Sequence, residues 1–496
     1  MKIKKWRSEL PTTVATVMFL TACILFAIRK DFNADTAISS FIGQDIALGN
    51  IFLKDWVFAG ESYFTTDYLW HGVLYWFLRD IQLTGYVASV LIICFSFITV
   101  LLIAKKYLAN DTYIYVIPLY IILIVSIRYL FLTPNHHATI AICLLAAYFY
   151  FSSDKIANIG FIVLSFMAIV GDKYALIYLI LPLLIESAMH SCSERRIDRR
   201  LILILLALLL AFSARYVLES YYYKIPGVPV RFVEFEKFFY KIELYLGALF
   251  KGPDAWFWGG SPASPKTIFQ LGLAILPLAS VVAPISLRRS PNRVVRFLCL
   301  SSLCVSCAFI FSDIPQIFDD YRYLFGLFFN GIILIAVLAS EKLPVFCRPL
   351  TKIFSLSLAG IFLAACFLAH PSASRVEARA VAVALAERGL SYGYAYWWAA
   401  YPVRFAANGA LQIAPIELTD IGYAPSGLQH KRSWYTEWPA YFVLRDDQHP
   451  NPALTASFDE QHLRSAFGEP AEIFRVGSRW TVYVYDNDLR MKLQRQ

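Results

Sequence analysis

Apolar runs of about 17–22 residues, each long enough to cross roughly 30 Å of hydrocarbon, recur along the first three quarters of the chain. About eleven spans are predicted, near 12–29, 84–104, 113–132, 138–152, 156–171, 174–188, 200–218, 268–287, 295–312, 323–340 and 352–369. A polar, aromatic-rich stretch, about 30–83, separates the first two. Within it, residues 35–49 place Ala37, Ile38, Phe41, Ile42 and Ile46 at helical spacing on one face. Residues 68–78 predict a helix lying in the membrane interface on aromatic anchors rather than a crossing. Beyond 370 the periodicity shortens. Helices are expected at 374–389 and 458–467, and strands near 391–396, 411–416, 440–445, 471–476 and 479–485. The fold class is an α-helical polytopic membrane protein with a small extracytoplasmic α/β C-terminal domain. Residues 1–370 form the membrane module and 371–496 the tail domain.

Composition agrees with that pattern. Of 496 residues, 58% are hydrophobic and 16% charged, with mean hydropathy +0.54. A soluble chain carries about a quarter charged residues. Nine Cys are too dilute for a disulfide scaffold, and Cys304 and Cys307 fall inside a predicted span, where a packed apolar pair is expected. Leu20-Thr21-Ala22-Cys23 has the look of a lipoprotein cleavage site, but the apolar run continues through Ile28.

The formal net charge of +9 refines the topology. Residues 371–496 hold 13 basic and 13 acidic side chains, so the whole excess lies among the spans. It collects at one set of span ends: Lys2, Lys4, Lys5 and Arg7; Lys105 and Lys106; Lys155; Arg195, Arg196, Arg199 and Arg200; Arg288, Arg289, Arg293 and Arg296; Lys342, Arg348 and Lys352. The positive-inside rule puts these ends and the N-terminus in the cytoplasm, and an odd number of crossings puts the tail outside. A bacterial inner membrane with a periplasmic tail is the expected setting. No Arg/Lys-rich arm suggests nucleic acid as a partner.

The spans are nearly clean of mid-membrane ionisable residues, which disfavours a polar path through the bundle. Candidate chemistry gathers at the outer ends instead. Asp31 and Asp35 stand four apart after the first span; on one helix both carboxylates would share a face. Such acids can accept a proton from an attacking hydroxyl or hold a cation. Asp67 follows in the same loop. The other outer turns carry Arg128, His136 and His137, Asp172 and Lys173, and Tyr321 with Arg322. Three Arg-Tyr pairs, at Arg128, Arg215 and Arg322, break the positive-inside rule and suit a phosphate at headgroup depth. The plainer alternatives are a solvated loop with helix-capping aspartates, and interfacial anchoring by the Arg-Tyr pairs. Adjacent His do not share a helix face, so hydrogen bonding is the expected role for His136 and His137 rather than metal ligation.

This layout resembles the GT-C superfamily of integral-membrane glycosyltransferases, the group of the protein O-mannosyltransferases and the lipid A aminoarabinose transferase. Asp35-Thr36-Ala37 followed by Gln44-Asp45-Ile46 matches the family's acid-led helix. Lys54-Asp55-Trp56 and Tyr63-Phe64-Thr65-Thr66-Asp67 match its continuation toward a second, interfacial helix. The resemblance implies transfer of a single sugar from a polyprenyl-phosphate donor to an extracytoplasmic glycan, lipid or protein acceptor. Asp35 is then the base, with Asp31 its substitute, and Asp67, Arg128, His136, His137, Asp172, Lys173, Tyr321 and Arg322 contact substrate. Thr36 stands where the family often has a second acid, so no cofactor is certain and a divalent metal is left open. Trp397-Trp398-Ala399 resembles the Trp-Trp-Asp motif of oligosaccharyltransferases without its Asp, which disfavours transfer of a whole oligosaccharide. The alternatives are a transporter or flippase, or a polymerase, of lipid-linked glycans.

Overall fold

The structure, a computed structural model, describes residues 2–29, 33–108, 111–126, 136–152, 154–226, 231–252, 267, 270, 273, 275–287, 289–344, 346–370, 372–449 and 451–493. In chain order the principal helices are α1 (Lys2–Arg29), α2 (Ala34–Ala47), α3 (Leu69–Leu78), α4 (Ile81–Tyr107), α5 (Thr112–Ser126), α6 (His137–Tyr150), α7 (Lys155–Gly171) and α8 (Leu181–Glu194). They continue as α9 (Leu201–Tyr221), α10 (Phe238–Lys251), α11 (Ile275–Leu287), α12 (Arg293–Phe311), α13 (Phe325–Lys342), α14 (Cys347–Leu368), α15 (Ala373–Glu387) and α16 (Trp397–Ala406). The strands are β1 (Trp56–Val57), β2 (Tyr392–Ala395), β3 (Gln412–Thr419), β4 (Gly422–Pro425), β5 (His430–Lys431), β6 (Phe442–Asp446), β7 (Glu472–Val476) and β8 (Trp480–Val484). The chain divides into a helical unit (1–27, 89–214, 228–369) and a loop–tail unit (28–88, 215–227, 370–496).

Within the helical unit, α13 is the central element and packs against α5, α11 and α12. Phe328, Phe329, Ile332 and Ile333 are fully buried, and Asn330 accepts the Tyr178 hydroxyl proton at 2.7 Å, so the one amide in this helix is satisfied. The peripheral helices expose apolar rather than polar faces. On α9, Ile202, Leu205 and Leu209 all lie outward, which is stable only where the surrounding solvent is hydrocarbon. Among the described residues, seven helices are long and apolar enough to cross a membrane. Three more, α5, α6 and α7, are apolar but of 10–17 residues. At 1.5 Å per residue their described lengths are shorter than roughly 30 Å. The chain is a multi-pass membrane protein.

The loop–tail unit is built on a six-stranded mixed sheet of order β4-β3-β2-β6-β8-β7. β2 runs parallel to both β3 and β6, with Tyr394 opposite Ala414 on one side and Val443 on the other. Such a strand is buried on both faces, as Tyr394 and Ala395 are. α16 packs on β2, β3 and β6 and also on α2. The sequence pattern predicts no helix at 397–406, because Pro402 and two tryptophans mask its period; the segment is helical since Trp397, Tyr401 and Phe405 all turn into the core.

Two features tie the segment between α1 and α4 into this unit. β1 pairs with β5 antiparallel, Trp56 opposite Lys431. α2 and α3 cross so closely that a Cβ on Gly43 would lie 2.5 Å from His71 Cβ, and one on Gly72 would lie 2.6 Å from Ile46 Cγ2. Only glycine permits that approach. α3 turns Trp70, Val73, Trp76 and Phe77 outward while burying His71 and Gly72.

Candidate functional site

Asp35 owes its position to a helix start. Asn33 caps α2, its side chain accepting from the Thr36 backbone N–H at 3.0 Å and the Thr36 hydroxyl at 3.1 Å. That leaves Asp35 half-buried in the first turn, where the helix dipole favours a carboxylate. Thr36 is fully buried and spent on the cap. Asp31 lies outside the described residues.

Asp67 enters the same unit from a π turn, Phe64–Tyr68, that opens on Tyr63 in left-handed backbone (φ 46°). For a non-glycine residue that conformation stores strain, which concentrates at functional sites. Asp67 is buried, and Thr66 donates to its Oδ2 at 2.8 Å. Its carbonyl accepts from His71 Nδ1 at 2.9 Å, which fixes the Nδ1–H tautomer. His71 Nε2 is buried with no hydrogen-bond partner among the described residues, and burial lowers the imidazole pKa to about 4. Tyr68 feels the charge of both acids. Its buried phenol is pushed well above the ordinary range, first by burial, then by the charges of Asp67 and Asp35. Both carboxylates therefore act on one phenol (Asp45, by contrast, is occupied by Asn50, Trp56 and Lys431).

Sequence reasoning took Tyr68 and His71 only as interfacial anchors, and did not single out Arg404. The Arg404 side chain, on α16, is buried with its guanidinium 4.2 Å from the Phe41 ring and 4.4 Å from Trp434. Its polar contact is Gln412 Oε1 at 3.3 Å, and among the described residues no carboxylate pairs with it. Desolvation lowers its pKa to about 10, so it stays charged at neutral pH beside the helix that carries Asp35.

His136, His137, Asp172, Lys173, Tyr321 and Arg322 lie in the helical unit, and Arg215 in the loop–tail unit. His136 sits in left-handed backbone (φ 45°), caps α6 and meets Asp172 Oδ2 at 2.6 Å through Nδ1. Its ring stacks on Tyr174 and tilts against Tyr323. Asp172 also accepts from Thr139 Oγ1 at 2.9 Å and Tyr174 N at 2.9 Å. Burial alone would raise that carboxyl, but His136 and these donors outweigh it and hold it below the usual range. His137 turns the other way, its Nε2 2.9 Å from Ser96 Oγ in the core. Lys173 is exposed at the same turn. Arg322 lies 3.7 Å from Asp320 and over the Tyr323 ring, while Tyr321 is buried against Phe325. Arg128 lies outside the described residues. Arg215 is no free clamp: Glu61 and Glu219 both take its guanidinium at 2.6 Å. Among the described residues, no group of three or more His, Cys, Asp or Glu is arranged to hold a metal ion.

No family model matches the chain, and no curated protein matches its sequence. Solved structures do match. ArnT from Cupriavidus metallidurans bound to undecaprenyl phosphate aligns with TM-score 0.61 at 11% identity, covering 98% of this chain and 99% of that one. ArnT from the same organism in the apo state aligns with TM-score 0.55 at 10% identity over the whole of both chains. This chain shares its fold with ArnT from end to end.

Proposed function

We propose that this chain, built on the GT-C fold, is a glycosyltransferase that moves a single sugar from a polyprenyl-phosphate donor to an extracytoplasmic glycan, lipid or protein acceptor. One observation carries the reading. Asp35 stands in the first turn of the helix that follows the first apolar helix, held there by the Asn33 cap, in the same unit as the buried Asp67. The binding of undecaprenyl phosphate by ArnT, which has this fold over its full length, supports the donor class.

In the reaction, the Asp35 carboxylate takes the proton of an acceptor hydroxyl as its oxygen bonds to the anomeric carbon of the donor sugar. The bond from that carbon to the phosphate oxygen breaks, and polyprenyl phosphate leaves with the electron pair. Carboxylates suit the first task and fixed cations the second, because charge develops on the phosphate as the old bond lengthens. Arg128, Lys173 and Arg322 are the cations assigned to the donor phosphate, with His136 held in place by Asp172. Asp67 acts through Tyr68, keeping the phenol neutral and able to donate to a substrate oxygen. Asp31 is not needed for this scheme. In this reading the membrane module makes about eleven crossings of a bacterial inner membrane, α5, α6 and α7 among them, with the N-terminus cytoplasmic, 371–496 periplasmic and α3 lying on the lipid surface.

The test is to incubate the purified protein in detergent with a panel of polyprenyl-phosphate sugars and score released polyprenyl phosphate. Turnover with one donor class is expected. Uptake of intact lipid-linked glycan into vesicles without cleavage would replace the transferase with a flippase.

A further inference from the structure

A cleft of about 710 Å³ opens within the loop–tail unit, lined by the start of α2, the start of α4, α15 and the tail. That size matches a small-ligand site, for which about 300–1,000 Å³ is usual. Its charge is one-sided. Arg375, Arg379 and Arg479 face it, against the single acid Asp446. Arg479 is spent on Asp446, donating at 2.9 and 2.7 Å, and reaches Glu377 at 3.3 Å. Arg375 lies over the Tyr86 ring and donates to the Ile28 carbonyl. Arg379 is exposed and makes no ion pair among the described residues. Two positive charges therefore stay uncompensated.

The rest of the lining is aromatic. Trp398 is 40% exposed although its neighbour Trp397 is buried, so a flat indole surface is left for the cleft rather than the core. Trp480 lines the cleft too; it is only 3% exposed, and its indole N–H finds no acceptor among the described residues. A buried donor without a partner calls for one. Aromatic faces receive the apolar face of a sugar ring, and an arginine fork receives a phosphate or carboxylate. Asn33 and Ala34 belong to the same lining and immediately precede Asp35.

We infer that this cleft binds an anionic sugar, phosphorylated or carboxylated, and that such a sugar is the acceptor class. The second half rests on the transferase reading above; the first does not. In the bound state Arg379 and Arg375 hold the anionic group, Trp398 carries the ring, and Trp480 donates to a ring or hydroxyl oxygen.

The experiment is a titration of the purified full-length protein in detergent, followed by tryptophan fluorescence, with no donor lipid present. Glucose 6-phosphate and glucuronate are expected to bind at least about tenfold more tightly than glucose, the usual span for one charge-assisted contact. Arg379→Gln should lower affinity for glucose 6-phosphate by about tenfold while leaving glucose binding and thermal unfolding unchanged, because the side chain is exposed. Trp398→Ala should weaken both sugars alike. Equal affinity for charged and neutral sugars, or no effect of Arg379→Gln, overturns the site. Inorganic phosphate binding as tightly as glucose 6-phosphate overturns its sugar component. A long-chain alkyl glycoside carrying the same phosphate separates sources: tighter binding identifies a lipid-borne acceptor, equal binding a free glycan, and both keep the cleft. Displacement of glucose 6-phosphate by polyprenyl phosphate would make the cleft part of the donor site and overturn the acceptor assignment. Because binding is read without turnover, a cleft that binds in a protein that transfers nothing retires the transferase reading alone.

Discussion

Lys431 Nζ donates to Asp45 Oδ1 at 2.8 Å, joining two residues 386 positions apart. The other oxygen of Asp45 accepts from Trp56 Nε1 at 2.8 Å and Asn50 Nδ2 at 2.5 Å. One carboxylate thus fastens α2 to both strands of the small β1–β5 pair. Asp45→Ala leaves the buried Trp56 indole without an acceptor and should cost about 2–4 kcal/mol. Lys431→Met removes a contact that is one-fifth exposed at both ends and should cost at most about 1 kcal/mol. Thermal unfolding of the detergent-solubilised variants checks the order; a larger loss for Lys431→Met would contradict it.

That bond also marks how far the sequence could be read. The apolar runs, the acid-led helix from 35 and the tail strands are local patterns, and period alone reveals them. Residue type could not reveal that the 30–83 loop and the tail share one unit. That joining depends on Trp56 opposite Lys431 and on Gly43 against His71, contacts with no local signature. His136 and His137 illustrate the same limit. As neighbours they look alike in sequence, yet the left-handed backbone at His136 sends one ring to Asp172 and the other to Ser96. Arg404 went unnoticed because an arginine followed by Phe405 gives no hint that its surroundings are aromatic and lack a carboxylate.

Asp172 is fully buried and tied to His136, Thr139 and Tyr174. Asp172→Asn should cost about 3–5 kcal/mol, the usual effect of removing one partner from a buried pair. It should also reduce sugar transfer, since His136 loses its orienting partner. Unchanged unfolding temperature and turnover in that variant would contradict both claims.

Acid should loosen the loop–tail unit through His71. Its folded pKa of about 4 lies below the unfolded value of 6.5. The unfolded chain therefore binds the proton first, and stability present above 6.5 is lost as pH falls toward 4. The loss should reach about 2 kcal/mol at pH 5. His71→Asn, which keeps a donor for the Asp67 carbonyl and removes the titration, should flatten the unfolding profile between pH 7 and 5. Asp172, held low, contributes its loss only at more acidic pH, below the unfolded carboxylate range. A profile equally steep in His71→Asn would exclude this assignment.

Arg404 is a buried cation that relies on ring faces. Arg404→Met keeps the bulk and removes an uncompensated charge, so stability should change by less than about 1 kcal/mol or rise. Arg404→Lys places a more strongly hydrated, non-planar ammonium among Phe41 and Trp434 and should cost about 2–3 kcal/mol. Unfolding temperatures of the two variants settle the order; equal losses would contradict this reading of Arg404.

The most direct measurement concerns Asp35. With the donor that the panel identifies, polyprenyl phosphate release by Asp35→Asn should fall at least about 1,000-fold, because the acceptor hydroxyl loses its base. Expression and unfolding temperature should match the parent, since Asn still suits a first helical turn. Release at the parental rate from a folded Asp35→Asn protein would contradict the account.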